Sequence, residues 1–189
     1  FKECFAVVNQ PGFRNSALAG LQVAIAALVV LPLIELSDFS HLIGFASLGT
    51  LVALFGRFAA PERRGFTVFL CLLCQTATVF VMSLVAWLEL PMVGQLAILA
   101  LLCGTLFYIV TVGDFGPPGA LIFIFAASVS MGQVDTFASV LERTPATAGA
   151  AALAWLVVMI TDVFRHDTPA AQDGFKSRPA SHKLIAVAR

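Results

Sequence analysis

Charge is scarce in this chain. Charged residues make up 12% of its 189 residues, about half of the ~25% in an average soluble domain. Apolar residues reach 59%, phenylalanine alone occurs 17 times, and the mean hydropathy is +0.94. A soluble domain of this size buries only ~70% of the surface its chain exposes, so this composition argues against a soluble enzyme. The formal net charge is zero. No basic field is available to attract phosphates, which argues against a nucleic-acid partner. What remains is an integral membrane protein with the lipid bilayer as its surroundings.

Other absences narrow the reading. No acidic or basic side chain falls near the centre of an apolar run, so no proton relay of mid-membrane carboxylates is apparent. The three histidines, His41, His166 and His182, have no metal-ligand spacing. Cys71 and Cys74 form a C-x-x-C, but it lies inside Phe69-Leu70-Cys71-Leu72-Leu73-Cys74, where thiols act as small packing groups. No Ser/His/Asp set, phosphate-binding glycine loop or pair of catalytic carboxylates emerges. The sequence therefore predicts no enzyme, no cofactor and no metal. Residues 1–15 have no apolar core of a signal peptide.

What the sequence has is long apolar runs. Crossing ~30 Å of hydrocarbon takes about 20 residues at 1.5 Å each. Six segments qualify: 16–36, 41–58, 65–88, 92–112, 117–134 and 146–164. Breakers separate them, including Ser37-Asp38, Pro61-Glu62-Arg63-Arg64, Glu89-Leu90-Pro91, Gly113 to Pro118, and Glu142-Arg143-Thr144-Pro145. The second is rich in glycine and serine, and the apolar part of the fifth is short enough to be re-entrant. The expected fold is all-α, a bundle of six transmembrane helices with both termini cytoplasmic. The cations test that map, because Lys and Arg collect in cytoplasmic loops. Lys2, Arg14, Arg57, Arg63, Arg64, Arg165, Lys176, Arg178, Lys183 and Arg189 all fall inside, and of the 11 Lys and Arg residues only Arg143 falls outside. The expected organisation is a cytoplasmic segment over 1–15, the membrane domain over 16–164, and a cytoplasmic linker over 165–189. Ser181 to Arg189 reads as the opening of another membrane helix, so a second half of the same chain or a second copy is an expected partner.

The few polar residues are the candidate site. Glu35, Arg57 and Asp162 lie near helix ends, as interface anchors or as functional charges. Gln75, with Thr76 and Thr78, lies near the middle of the third span; it either bonds a neighbouring helix or lines a pathway. Gln22 and Gln95 pose the same choice, and His41 is expected at the outer surface. Ala46, Gly49, Ala53 and Gly56 put small residues on one face of the second span, and the sixth opens with Ala146-Thr147-Ala148-Gly149-Ala150-Ala151-Ala152. Both invite close helix approach.

The stretch Gly113-Asp114-Phe115-Gly116-Pro117-Pro118-Gly119-Ala120-Leu121 is the most informative. Prolines tolerate a first helical turn, and Asp114 or Gly116 could cap it. The amides of Gly119, Ala120 and Leu121 would then offer an anion site at a positive helix end, as in the broken helices of transporters. The plain alternative is a tight turn. Arg57 and the Gly116-Pro117-Pro118-Gly119 break both fall at inner ends, where a guanidinium and free amides could take a carboxylate.

Several of these segments together resemble the membrane domain of the fusaric acid resistance (FUSC) family. They are Ala17-Leu18-Ala19-Gly20-Leu21-Gln22-Val23-Ala24, Ala46-Ser47-Leu48-Gly49-Thr50-Leu51 with Arg57, Arg63-Arg64, Gly116-Pro117-Pro118-Gly119-Ala120 and Ala148-Gly149-Ala150. The resemblance spans about residues 12–189 and rests on their order and spacing. That family includes bacterial aromatic acid exporters and is similar to the plant aluminium-activated malate transporters. The resemblance implies a multi-pass domain of the bacterial inner membrane that exports small, often aromatic, organic anions. An anion channel and a non-transporting membrane scaffold are the competing expectations.

Overall fold

The structure, a computed structural model, describes residues 13–57, 61–113, 115 and 119–161. Among these residues it is all-helical, with no strand. Six α-helices follow in order: α1 (Phe13–Glu35), α2 (Ile43–Thr50), α3 (Pro61–Trp87), α4 (Met92–Val112), α5 (Leu121–Ser130) and α6 (Phe137–Thr161). A 3-10 turn, Ser40–Leu42, leads into α2, and a 3-10 segment, Leu51–Arg57, continues it. Stretches in α1, α3, α4 and α6 are long and apolar enough to cross a membrane, whereas Ser40–Phe55 and Leu121–Ser130 are shorter apolar helices.

Local chemistry sets the ends. Pro61 opens α3 and Glu62 sits in its first turn, since proline's missing N–H costs nothing there and a carboxylate suits the positive helix end. The helix therefore begins four residues before the expected start at Gly65. It ends at Trp87, the turn that follows carries Glu89 with a left-handed φ of 50°, and Pro91 precedes the first residue of α4. α4 matches its expected bounds. Thr136 precedes α6 and caps it, its Oγ1 accepting from the Ser139 N–H at 3.4 Å.

That cap corrects one expectation. Glu142-Arg143-Thr144-Pro145 is not a connection, and the sixth helix does not begin at Ala146. These residues lie inside α6, Pro145 included. Neighbours hold the stretch in place. Arg143 donates to the carbonyls of Gln133 (2.8 Å) and Gly132 (3.4 Å) and lies over the Phe45 ring. Glu142 meets His41 at 3.2 Å. The Thr144 and Thr147 hydroxyls bond the carbonyls of Val140 and Arg143, in the turn where Pro145 supplies no donor. The fifth helix is also shorter than 117–134. At ten residues it is about 15 Å long, half the hydrocarbon thickness.

α3 and α6 form the centre. α6 packs on α1, α2 and α3, while α5 lies on α3. α4 touches α3 and α5 and buries little beyond Leu106 and Val110. The small-residue faces meet as expected: Ala46, Gly49 and Ala53 are buried, and Gly49 abuts α6 at Thr147, Ala150 and Ala151. Alternating helix directions sort the charges to two ends. One holds Arg64 with Gln22 and Thr161. The other holds His41, Glu89, Asp135, Glu142 and Arg143.

Candidate functional site

The buried face of α3 carries the site. At 100° per residue, Arg64, Thr67, Cys71, Gln75, Thr78 and Met82 fall within one arc of roughly 80°. All six are buried, Arg64 at 2% exposure and Gln75 at 0%. Polar groups thus run along an arc facing the core, where an amphipathic helix would place only apolar ones. Gln75 lies within one residue of the middle of α3 and about 16 Å along the axis from Arg64.

The three glutamines separate here. Gln22 Nε2 donates to Thr161 Oγ1 at 2.6 Å, tying α1 to α6. Gln95 Nε2 donates to the Leu90 carbonyl at 2.9 Å and stiffens the turn into α4. Gln75 is buried with neither Nε2 nor Oε1 hydrogen-bonded. Thr76 Oγ1 and Ser83 Oγ are also buried without partners, about 120–140° round α3 from the centre of that arc. Thr78 is satisfied within the helix, donating to the Cys74 carbonyl at 2.7 Å. A buried amide without a partner costs roughly 1–3 kcal/mol by mutational measures. Such groups are rare in folded proteins, and each calls for an explanation such as a bound water, an ion or a ligand.

The surroundings of Gln75 are layered. One turn towards Arg64, Cys71 joins a buried cluster with Val52, Phe55 and Phe123. The rings of Phe55 and Phe123 stack at 5.0 Å between centroids and 8° from parallel. One turn the other way, Val79 joins Leu48 and Ala126. Leu51 packs against both clusters, so the change from α to 3-10 geometry falls at the level of Gln75. A 3-10 stretch inside a helical run often marks a functional hinge. Beyond Ser83, at the Glu89 end, Ala86 lines an open cavity of about 350 Å³ with Glu89, Leu90, Gln95, Met131, Gln133, Val134 and Asp135.

The remaining expected site residues lie elsewhere. Arg57 closes the 3-10 segment at the Arg64 end, and its side chain is outside the described residues. Gly119 is half-buried with φ of 62°, a left-handed turn before α5 that suits glycine. The start of α5 at Ala120 has no side-chain cap. Asp114, Gly116, Pro117 and Pro118 are outside the described residues, as are 1–12 and the linker 165–189. Ala120 and Phe115 share the buried cluster of Phe55, Phe123 and Cys71, which puts the start of α5 on the Arg64 side of Gln75.

Thr67 and Ser83 carry no signal of their own in the sequence and Arg64 reads there only as a loop cation, although Arg64, Thr67, Cys71 and Gln75 recur at helical spacing. That period was the available signal. No family model, curated protein or solved structure matches this chain.

Proposed function

We propose that this chain is a six-span bacterial inner-membrane domain, with both termini cytoplasmic, that exports small aromatic organic acids. In this reading the Arg64 end faces the cytoplasm, in keeping with the sorting of Lys and Arg. Arg57 and the turn at Gly116-Pro117-Pro118-Gly119 take the substrate's carboxylate there. Gln75 meets the substrate at mid-membrane.

The observation that carries the reading is the unpartnered amide of Gln75. A scaffold has no use for a buried polar group at the middle of a spanning helix. A transport path has, because bilayer polar groups mark substrate routes. The short α5 and the 3-10 continuation of α2 add support, since discontinuous helices build transporter sites near the midplane.

The test is efflux of a radiolabelled aromatic acid from cells making the full-length protein. Saturable, protein-dependent efflux is expected, reduced in Gln75→Leu at matched membrane levels. No protein-dependent efflux would reject the exporter, and unitary currents would replace it with a channel.

A further inference from the structure

Gln75 also bears on the chemical form in which a substrate passes. We propose that the species crossing the middle of the bundle is the protonated, uncharged carboxylic acid, recognised edge to edge by the Gln75 amide. The inference rests on the transport reading and sharpens it.

The chemistry of the amide is the first reason. Nε2 offers two N–H donors and Oε1 an acceptor, and both atoms are unpartnered in a fully buried side chain. A protonated carboxyl is its complement: Nε2–H donates to the acid carbonyl, and the acid O–H donates to Oε1. A carboxylate uses only half of this edge, and its second oxygen faces the lone pairs of Oε1.

Charge is the second reason. Among the described residues, α3 has no acidic or basic side chain between Arg64 and Glu89, and α2, α4 and α5 have none at all. α1 has none from Ala17 to Ile34, nor α6 from Thr144 to Thr161. An anion at the level of Gln75 would be buried without a counter-charge, about 16 Å from Arg64. A neutral acid has no such penalty. Its ring enters the apolar cluster that holds Cys71 with the stacked rings of Phe55 and Phe123.

The ends complete the path. Arg64, at 2% exposure, heads the arc at the end where the acid arrives as an anion. There the carboxylate takes a proton from water. At the far end the acid enters a cavity lined by Glu89 and Asp135 and returns the proton to water, and the two carboxylates repel the anion so formed. No protein group changes protonation. One proton accompanies each acid, and no net charge crosses.

Three probes of one shape test this in proteoliposomes of the full-length protein, against protein-free liposomes: 3,4-dihydroxybenzoate, 3,4-dihydroxybenzamide and 3,4-dihydroxybenzenesulfonate. The benzamide, neutral at acidic and neutral pH with the same hydrogen-bonding edge, should be carried at a rate independent of pH over that range. The benzoate rate should fall about tenfold per pH unit above its pKa of ~4 and should not respond to a potassium–valinomycin potential. The permanently anionic sulfonate should not be carried. Gln75→Leu should lower benzamide and benzoate flux at least tenfold while keeping a melting temperature no lower than the parent's, since leucine suits an apolar layer. Sulfonate flux, benzoate flux that ignores pH or follows voltage, or unchanged flux in a folded Gln75→Leu would overturn the inference and leave transport standing. Absence of protein-dependent flux for all three would overturn both.

Discussion

Gly49 rests directly on the backbone of α6 opposite Thr147. A β-carbon at Gly49 would lie 2.5 Å from the Thr147 carbonyl oxygen, 2.8 Å from the Ala150 β-carbon and 2.9 Å from the Ala151 nitrogen. Two of these neighbours are backbone atoms, so the helices must part to admit a methyl. Overpacking of this kind costs ~1–3 kcal/mol. Gly49→Ala should therefore lower the melting temperature in detergent. Gly20→Ala is the matched control, because nothing lies within 4 Å of its added carbon. Equal melting temperatures for the two variants would refute the close contact.

The Gln22–Thr161 bond links helices 139 residues apart. Thr161→Val and Gln22→Leu each remove one partner of a largely buried pair, at a cost of about 1–3 kcal/mol. The double variant should cost less than the two together. Additive costs in a double-mutant cycle would mean that the bond contributes nothing.

Glu89 pays for its turn with a φ of 50°. Glycine adopts that conformation freely, so Glu89→Gly should stabilise by about 0.5–1 kcal/mol. Glu89→Val should destabilise, since a β-branched residue is poorly tolerated there. A loss of stability in Glu89→Gly would contradict the turn.

Orientation is tested by cysteine labelling with Cys4, Cys71, Cys74 and Cys103 replaced. Asp38 and Asp135 are exposed at one end, Glu62 and Arg63 at the other. Single cysteines at Asp38 and Asp135 should react with an impermeant reagent outside intact cells, and those at Glu62 and Arg63 should not. Thr144 is a poor probe despite lying beside charged residues, because its side chain bonds the Val140 carbonyl within α6. Outside labelling at Glu62 would invert the topology.

The sequence announces apolar helices well because their length is a bilayer constraint. Met92 and Val112 are legible as the ends of α4 since Pro91 and Gly113 bracket an unbroken run. Local breakers mislead where distant residues outweigh them. Pro145 reads as a stop, yet the Thr136 cap starts the helix at Phe137, nine residues earlier than expected, and His41, Phe45, Gln133 and Gly132 hold its charged turn. Gln75 is visible in the sequence as a mid-span amide, but its lack of a partner is not. That depends on which side chains α2, α5 and α6 bring opposite it. Arg64 reads as a loop cation, whereas Pro61 begins the helix early enough to turn Arg64 inward.

The position of α6 has a consequence for biogenesis. It is the last of the six helices to leave the ribosome, yet α1, α2 and α3 all pack on it. Until it arrives, the notch at Gly49 stays open to lipid and Gln22 has no Thr161 to bond. In the two-stage view, spans insert first and associate afterwards, so the earlier helices wait as a loose, partly polar set. A ribosome stalled before Phe137 should therefore hold inserted helices whose Gly49 face is still reachable by a second copy or a chaperone. Completion of α6 would withdraw that face in a single late step.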